Sequence, residues 1–278
     1  MSKVHSIIST PLKYLWKSAT PFFRPLPNTF IVGAQKAGTS SLHSYLCQHP
    51  KVIGATKKEL HYFSGGLRPE VDNFSKSTNW YRSHFPICPL RSSDLICLDS
   101  TPMYLFHPLV PQRISAFNPA SKIIILLRNP VERAISHYFH TKKHGFETLK
   151  IEDAIKGERD RLSSILDKKH FSHPDFRTKS YCMRGLYLDQ ITRYMNHFPN
   201  EQIKIICSEE LFSFPEKVVK ETIAFLDIEQ SQKKTDYKPV NVAQSRPKAP
   251  LELIKWLEQY YEPHNEKLFK LLGRSFDW

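Results

Sequence analysis

The chain has 278 residues, 40% hydrophobic and 12% aromatic, a composition that excludes global disorder and allows a proper buried core. A formal net charge of +13 points to an anionic partner, and nucleic acid, a membrane surface, a nucleotide and an acidic polysaccharide are all compatible with it. Five cysteines without a Cys-x-x-Cys pair argue against a zinc site or disulfide framework, and no apolar run approaches the roughly 20 residues of a membrane span, so the expected setting is soluble and cytoplasmic.

In chain order, residues 1–27 read as a basic, aromatic lead-in segment ending in Pro25-Leu26-Pro27, and residues 28–278 as one domain. The first strand is Thr29–Val32. A helix follows from Thr39 to Gln48, stopped by Pro50. A second strand falls at Leu95–Asp99. The third, Lys122–Leu127, holds the run Ile123-Ile124-Ile125-Leu126-Leu127, the pattern of a strand buried on both faces. It leads into a helix with Asn129 as N-cap, Pro130 at the first helical position and Glu132 completing a capping-box-like pattern. A helix near Arg184–Phe198, a strand at Gln202–Cys207 and a helix near Pro215–Leu226 come next. Asp236–Pro250 is a polar, proline-punctuated loop. Pro250–Leu272 is a last helical stretch, expected to be interrupted at Pro263. Strands alternating with helices predict an α/β fold with a central, mostly parallel sheet flanked by helices.

Two strand–turn–helix junctions carry the chemistry. The stretch Phe30-Ile31-Val32-Gly33-Ala34-Gln35-Lys36-Ala37-Gly38-Thr39-Ser40-Ser41 is a buried strand, a turn bracketed by glycines, and a hydroxyl-rich helix start. Glycines admit close approach of the backbone, successive N–H groups point inward, and the helix N-terminus adds positive potential, which together suit a phosphate. The spacing Gly33 to Gly38 matches the nucleotide-triphosphate loop only in part: Thr39 stands where its lysine belongs, and the cation sits earlier, at Lys36. At the second junction Arg128 lies at the mouth of a strand and Ser136 about two helical turns on, and an arginine fork with a hydroxyl can clamp a terminal phosphate. Ligands of parallel α/β folds lie beyond the carboxyl ends of the strands, so both junctions are expected to face one crevice.

The pair Gly33-Ala34-Gln35-Lys36-Ala37-Gly38-Thr39-Ser40 and Leu127-Arg128-Asn129-Pro130-Val131-Glu132-Arg133-Ala134-Ile135-Ser136-His137-Tyr138 resembles the sulfotransferases that use 3′-phosphoadenosine-5′-phosphosulfate (PAPS). The likeness is to the heparan-sulfate-type branch and its bacterial relatives. Lys58-Glu59-Leu60-His61-Tyr62-Phe63, Asp99-Ser100-Thr101-Pro102-Met103-Tyr104 and Asn265-Glu266-Lys267-Leu268-Phe269 agree with it. The resemblance implies a P-loop-like three-layer fold. It implies transfer of a sulfuryl group from PAPS to a hydroxyl or amine of a carbohydrate or glycoconjugate acceptor, leaving 3′-phosphoadenosine-5′-phosphate (PAP), with no metal required and no nucleic-acid partner. Residue by residue, Lys36, Ala37, Gly38, Thr39, Ser40 and Ser41 would bind the 5′-phosphosulfate end. Arg128 and Ser136 would bind the 3′-phosphate, Glu59 would be the base, and Lys36 would sit by the bridging oxygen of the leaving group. Two departures stand out: no cysteine follows Cys207, where heparan-type enzymes often carry a disulfide-bounded loop, and the ending Leu271–Trp278 looks like bacterial members.

These residue types suit the chemistry independently. A positioned ammonium can stabilise charge on a bridging oxygen without a metal. Lys57 and Lys58 flank Glu59 and would hold it ionised if they approach in space. His61 is the rival base, although its aromatic neighbours suggest a packed, hydrogen-bonded role. Asp99 reads either as a magnesium-binding aspartate or as a cap or substrate contact, and the second suits a loop without its lysine. Arg246 and Lys248 lie on the late polar loop, as a lid or as solvated charges. Residues 64–92 and 140–183 are expected to wall the acceptor. The competing readings are a kinase or hydrolase dependent on a nucleotide triphosphate, which needs lysine at residue 39 and a magnesium site, and a non-enzymatic basic module whose affinity falls steeply with salt.

Overall fold

Five strands make one parallel sheet in the computed structural model, which describes residues 23–88, 95–241 and 248–278. They are β1 (Thr29–Gly33), β2 (Val52–Gly54), β3 (Ile96–Ser100), β4 (Lys122–Leu127) and β5 (Ile203–Cys207), in the order β2-β3-β1-β4-β5. Among the described residues the helices are α1 (Thr39–Leu46), α2 (Thr78–Arg82), α3 (Met103–Phe106), α4 (Val110–Phe117), α5 (Pro130–Lys143), α6 (Ile151–Lys156), α7 (Glu158–Asp167), α8 (Pro174–Thr178), α9 (Tyr187–Met195), α10 (Ser208–Ser213), α11 (Pro215–Phe225) and α12 (Leu251–Leu272). The sheet is flanked by helices, as the alternation of elements requires.

β1 lies at the centre, paired with β3 on one side and β4 on the other. Every residue of β1 is buried, and so is β4 after Lys122, which is why their sequences are continuous apolar runs. Because β1 and β4 are neighbours and parallel, the turns leaving their carboxyl ends lie side by side. β3 ends on the other side of β1, so Ser100-Thr101-Pro102 closes a third wall of the same crevice.

Several boundaries differ from expectation. β2 was not anticipated, since three edge residues carry no periodic signal. α12 runs through Pro263 without a break. Proline removes one N–H and leaves the carbonyl four residues earlier unpaired. Here that residue, Gln259, is exposed, so water can meet the carbonyl. Asn129 caps α5 by accepting from the Val131 and Glu132 N–H groups at 2.9 and 3.3 Å. The reciprocal half of the capping box is replaced: Glu209 Oε1 takes the Asn129 N–H at 3.0 Å, because Arg128 holds the Glu132 carboxylate at 3.1 Å.

Residues 1–22 of the expected lead-in lie outside the described residues. Its end packs on the core: buried Arg24 donates to the Phe85 carbonyl, and Arg82 donates twice to the Arg24 carbonyl at 2.9 and 2.7 Å.

Candidate active site

The turn after β1 is fixed at its root by the Ala34 N–H, which donates to the Leu126 carbonyl of β4 at 2.6 Å. Lys36 and Gly38 then take left-handed backbone angles, φ 71° and 86°, which reverse the chain tightly and begin α1. Among the described residues no acceptor meets the backbone N–H groups of Lys36, Gly38, Thr39, Ser40 or Ser41. An array of unpaired donors at a helix start is an anion cradle. The hydroxyls behave differently from the N–H groups. Ser41 Oγ is already used by the late loop, accepting from the Val240 N–H at 2.9 Å, while Ser40 Oγ accepts from Lys58 Nζ at 3.1 Å.

Arg128 reaches across to this turn. Its Nη1 donates to the Lys36 carbonyl at 3.0 Å and its Nη2 to Glu132 at 3.1 Å, while the Tyr187 hydroxyl holds the Arg128 carbonyl at 2.8 Å. The two strand–turn–helix junctions are thus directly bonded. Ser136 sits further along α5, half-buried. The Lys36 ammonium is partly buried. Desolvation, then the charges of Arg128 and Arg133, lower its proton affinity, and Glu59 opposes them.

Glu59 is held at the end of the sheet by aromatic anchors. Tyr62 stacks on Tyr81 at 4.2 Å between centroids, Phe63 meets Phe30 edge-on at 5.7 Å, and Arg113 donates to the Phe63 carbonyl at 2.6 Å. Between these anchors and the loop, Glu59 and His61 adopt φ of 63° and 52°, a costly geometry for residues with a Cβ. The Glu59 side chain remains 45% exposed, with Oε1 3.6 Å from Lys58 Nζ and Oε2 3.4 Å from His61 Nε2. Burial pushes its carboxyl up, but the His61 hydrogen bond and the Lys58 charge outweigh this and hold it below the ordinary value of 4.5. Of the two flanking lysines, Lys58 approaches and Lys57 is exposed. His61 is buried, with Nδ1 3.2 Å from Ser64 Oγ, the packed role its neighbours suggested.

A cleft of ≈ 170 Å³ opens beside Glu59, with Gln35, His61, His140, Arg177 and Arg184 among its polar walls and Leu67 and Phe146 among its apolar ones. Arg184 is buried and donates to Gln35 Oε1 at 2.9 Å, Ser180 Oγ at 2.8 Å and the Arg177 carbonyl at 2.9 Å. Burial and then the Arg133 charge pull its pKa down to about 9. Both expected acceptor segments contribute to this cleft, but the sequence did not single out Gln35 or Arg184. A larger groove of ≈ 320 Å³, lined by Ile203, Ile205 and Phe276, contains none of the candidate residues.

Asp99 requires a correction. It is fully buried, and its two oxygens accept from the Tyr81, Tyr104 and Thr101 hydroxyls at 2.6, 3.0 and 2.8 Å. It is an internal anchor that ties β3 to α2 and α3, not a substrate contact, and its donor set leaves no room for a metal. Among the described residues no group of three or more His, Cys, Asp or Glu side chains is placed to hold a metal ion, and no helix is long and apolar enough to cross a membrane. Arg246 lies outside the described residues, and Lys248 is exposed ahead of α12.

A parallel five-stranded sheet flanked by helices, with two strand–turn–helix junctions bonded to each other at its carboxyl edge, defines a P-loop-like fold. The particular family follows from comparison: residues 26–246 match the sulfotransferase domain, and the chain belongs to that family. The crystal structure of a sulfotransferase from Alicyclobacillus acidocaldarius is similar, with 31% identity, a TM-score of 0.74, and coverage of 90% of this chain and 97% of that one. The membrane-associated sulfotransferase kil1 of Dictyostelium discoideum is 28% identical over 91% of this chain and 66% of its own. The human heparan sulfate glucosamine 3-O-sulfotransferase 6 is 26% identical over 93% of this chain and 75% of its own. The chain spans 66% of kil1, and 23% and 30% of two nematode bifunctional heparan sulfate N-deacetylase/N-sulfotransferases.

Proposed function

We propose that the protein transfers a sulfuryl group from PAPS to a hydroxyl or amine of a carbohydrate or glycoconjugate, releasing PAP. The observation that carries this is the set of unpaired N–H groups of Lys36, Gly38, Thr39, Ser40 and Ser41 beside the Lys36 ammonium, in a turn whose Ala37 N–H is spent on the Ala34 carbonyl at 3.2 Å and whose Lys36 carbonyl is bonded to Arg128. The N–H groups suit the 5′ end of the donor, and Arg128 with Ser136 suits its 3′-phosphate. The acceptor oxygen attacks sulfur, and the bond from sulfur to the bridging oxygen of the donor breaks. The proton of the acceptor passes to the Glu59 carboxylate, which its neighbours keep ionised. The charge left on the bridging oxygen falls next to Lys36. Names of relatives that act on heparan sulfate support a carbohydrate acceptor. The kinase or hydrolase reading loses support at Asp99, whose oxygens are all engaged, and at Thr39, which supplies no cation. The net positive charge serves anionic donor and acceptor here rather than nucleic acid.

Incubation with sulfur-35-labelled PAPS and a panel of desulfated glycans and glycolipids tests this. Label on a sugar hydroxyl or amine, with release of PAP, is expected. Phosphate transfer from ATP with magnesium, and none of sulfate, contradicts it. The five free thiols further support a reducing, cytoplasmic setting. Acid quenching of intact cells followed by denaturing alkylation should find every thiol free, and an oxidised pair contradicts the assignment.

A further inference from the structure

Lys58 stands between the two halves of this chemistry. Its Nζ lies 3.1 Å from Ser40 Oγ and 3.5 Å from Thr39 Oγ1 in the first turn of α1, and 3.6 Å from Glu59 Oε1. One ammonium is therefore shared between the anion cradle and the carboxylate. Its side chain is only 21% exposed, so burial lowers its proton affinity while Glu59 and then Asp99 support its charge. The N–H groups of Thr39 and Ser40 are among the unpaired donors, so an anion that meets them arrives within reach of the same ammonium. A lysine head on a flexible four-carbon stem has three donors and can change partners by small rotations.

We propose that Lys58 is a positioning residue that exchanges partners: it holds the Glu59 carboxylate while the loop is empty and turns to the anion when the loop fills, leaving Glu59 to receive the acceptor's proton. This rests on the loop binding the phosphate end of a nucleotide. Its consequence is order. Glu59 loses its nearest cation only when a donor is in place, so its proton affinity rises at the moment a base is needed. The other charged or titratable groups that face Glu59 are His61 from its own segment, Lys36 from the β1 turn, His140 from α5, Arg177 from α8 and Arg184 from the turn that follows. None of them also touches the hydroxyls of α1, which sets Lys58 apart.

The test uses PAP as the probe on the full chain, in wild type, Lys58→Met and Lys58→Arg. Calorimetry should show Lys58→Met binding PAP about ten-fold more weakly, one charge-assisted contact's worth, and Lys58→Arg recovering most of the loss. Carboxyl carbon NMR should show Glu59 titrating at higher pH in empty Lys58→Met than in empty wild type. Saturating PAP should raise the wild-type midpoint and move that of Lys58→Met far less. Equal PAP affinity in wild type and Lys58→Met, or an equal Glu59 shift in both, overturns the partner exchange while leaving the donor site standing. No PAP binding by wild type overturns both. Matching thermal unfolding of Lys58→Arg and wild type keeps a folding defect from mimicking the effect.

Discussion

Arg128 Nη1 donates to the carbonyl oxygen of Lys36 at 3.0 Å. This single contact crosses 92 residues of sequence and joins the mouth of β4 to the turn after β1. It also sets the backbone of Lys36, whose ammonium we propose stabilises the leaving group.

Lys36→Met should cut the transfer rate by roughly 100-fold or more, the usual cost of losing one preorganised electrostatic contact. The side chain is only partly buried, so the fold should persist. Single-turnover kinetics with labelled PAPS, alongside a thermal melt, checks this. A rate near that of wild type removes Lys36 from the chemistry.

Arg128→Ala should weaken PAP binding by about 10- to 100-fold, the range for hydrogen bonds to a charged group. Arg128→Lys should recover little, because a point charge cannot both reach a phosphate and hold the Lys36 carbonyl. Titration calorimetry with PAP decides it, and unchanged affinity in Arg128→Ala refutes the assignment.

Glu59→Gln should leave PAP affinity within a few-fold of wild type and slow transfer by roughly 100- to 10,000-fold, the range for a lost general base. Because the Glu59 carboxyl is held below its ordinary value of 4.5, the base stays ionised until the pH falls beneath that value. The acid limb of kcat/KM for the donor, which reports the enzyme before the donor binds, should therefore lie below pH 4.5. A limb near the ordinary imidazole value of about 6.5 contradicts Glu59 as the base.

The central strands and both junctions were legible because their signals are local. β1 and β4 are unbroken apolar runs, Asn129-Pro130 announces a helix start, and the glycine spacing marks the turn. What escaped depends on distance in sequence. Lys58 meets Ser40 across 18 residues and Arg184 meets Gln35 across 149, and no periodicity carries such contacts. Asp99 was misread for a related reason. Its polar character at a strand end suggested a cap or substrate contact, but the Tyr81 hydroxyl 18 residues back, with the nearby Thr101 and Tyr104 hydroxyls, already satisfies it.

Glu158 offers a stability test apart from the site. Buried at the start of α7, it accepts from the Cys182 and Met183 N–H groups, and burial pushes its pKa from 4.5 up to about 7. A carboxyl whose folded pKa is raised contributes stability that is fully present below 4.5 and is lost as pH rises toward about 7. The midpoint of thermal unfolding should therefore carry a falling component over that window. Glu158→Gln should remove this component and lower stability by about 1–3 kcal/mol, because an amide nitrogen cannot accept the second N–H. Calorimetric melts at several pH values check both parts, and a slope unchanged by the substitution contradicts the role.

Gly38→Ala should cost about 1–2 kcal/mol, because φ of 86° is left-handed while the added Cβ meets the exposed, movable Phe212 ring at 3.0 Å and Leu211 Cδ2 at an ordinary 3.4 Å. Gly33→Ala should cost more. Its Cβ would lie 2.5 Å from Leu105 Cβ and 3.1 Å from the Pro102 carbonyl, in a packed interior. Chemical denaturation of the two variants ranks them, and equal losses contradict this packing argument.

The most direct measurement is a crystal structure with PAP bound. The 5′-phosphate should rest on the unpaired N–H groups of Lys36 and of Gly38 to Ser41, and the 3′-phosphate within hydrogen-bond distance of Arg128 and Ser136. PAP bound elsewhere at saturating concentration, or reversed so that its 3′-phosphate occupies the loop beside Lys36, contradicts the proposed sulfuryl transfer at this site.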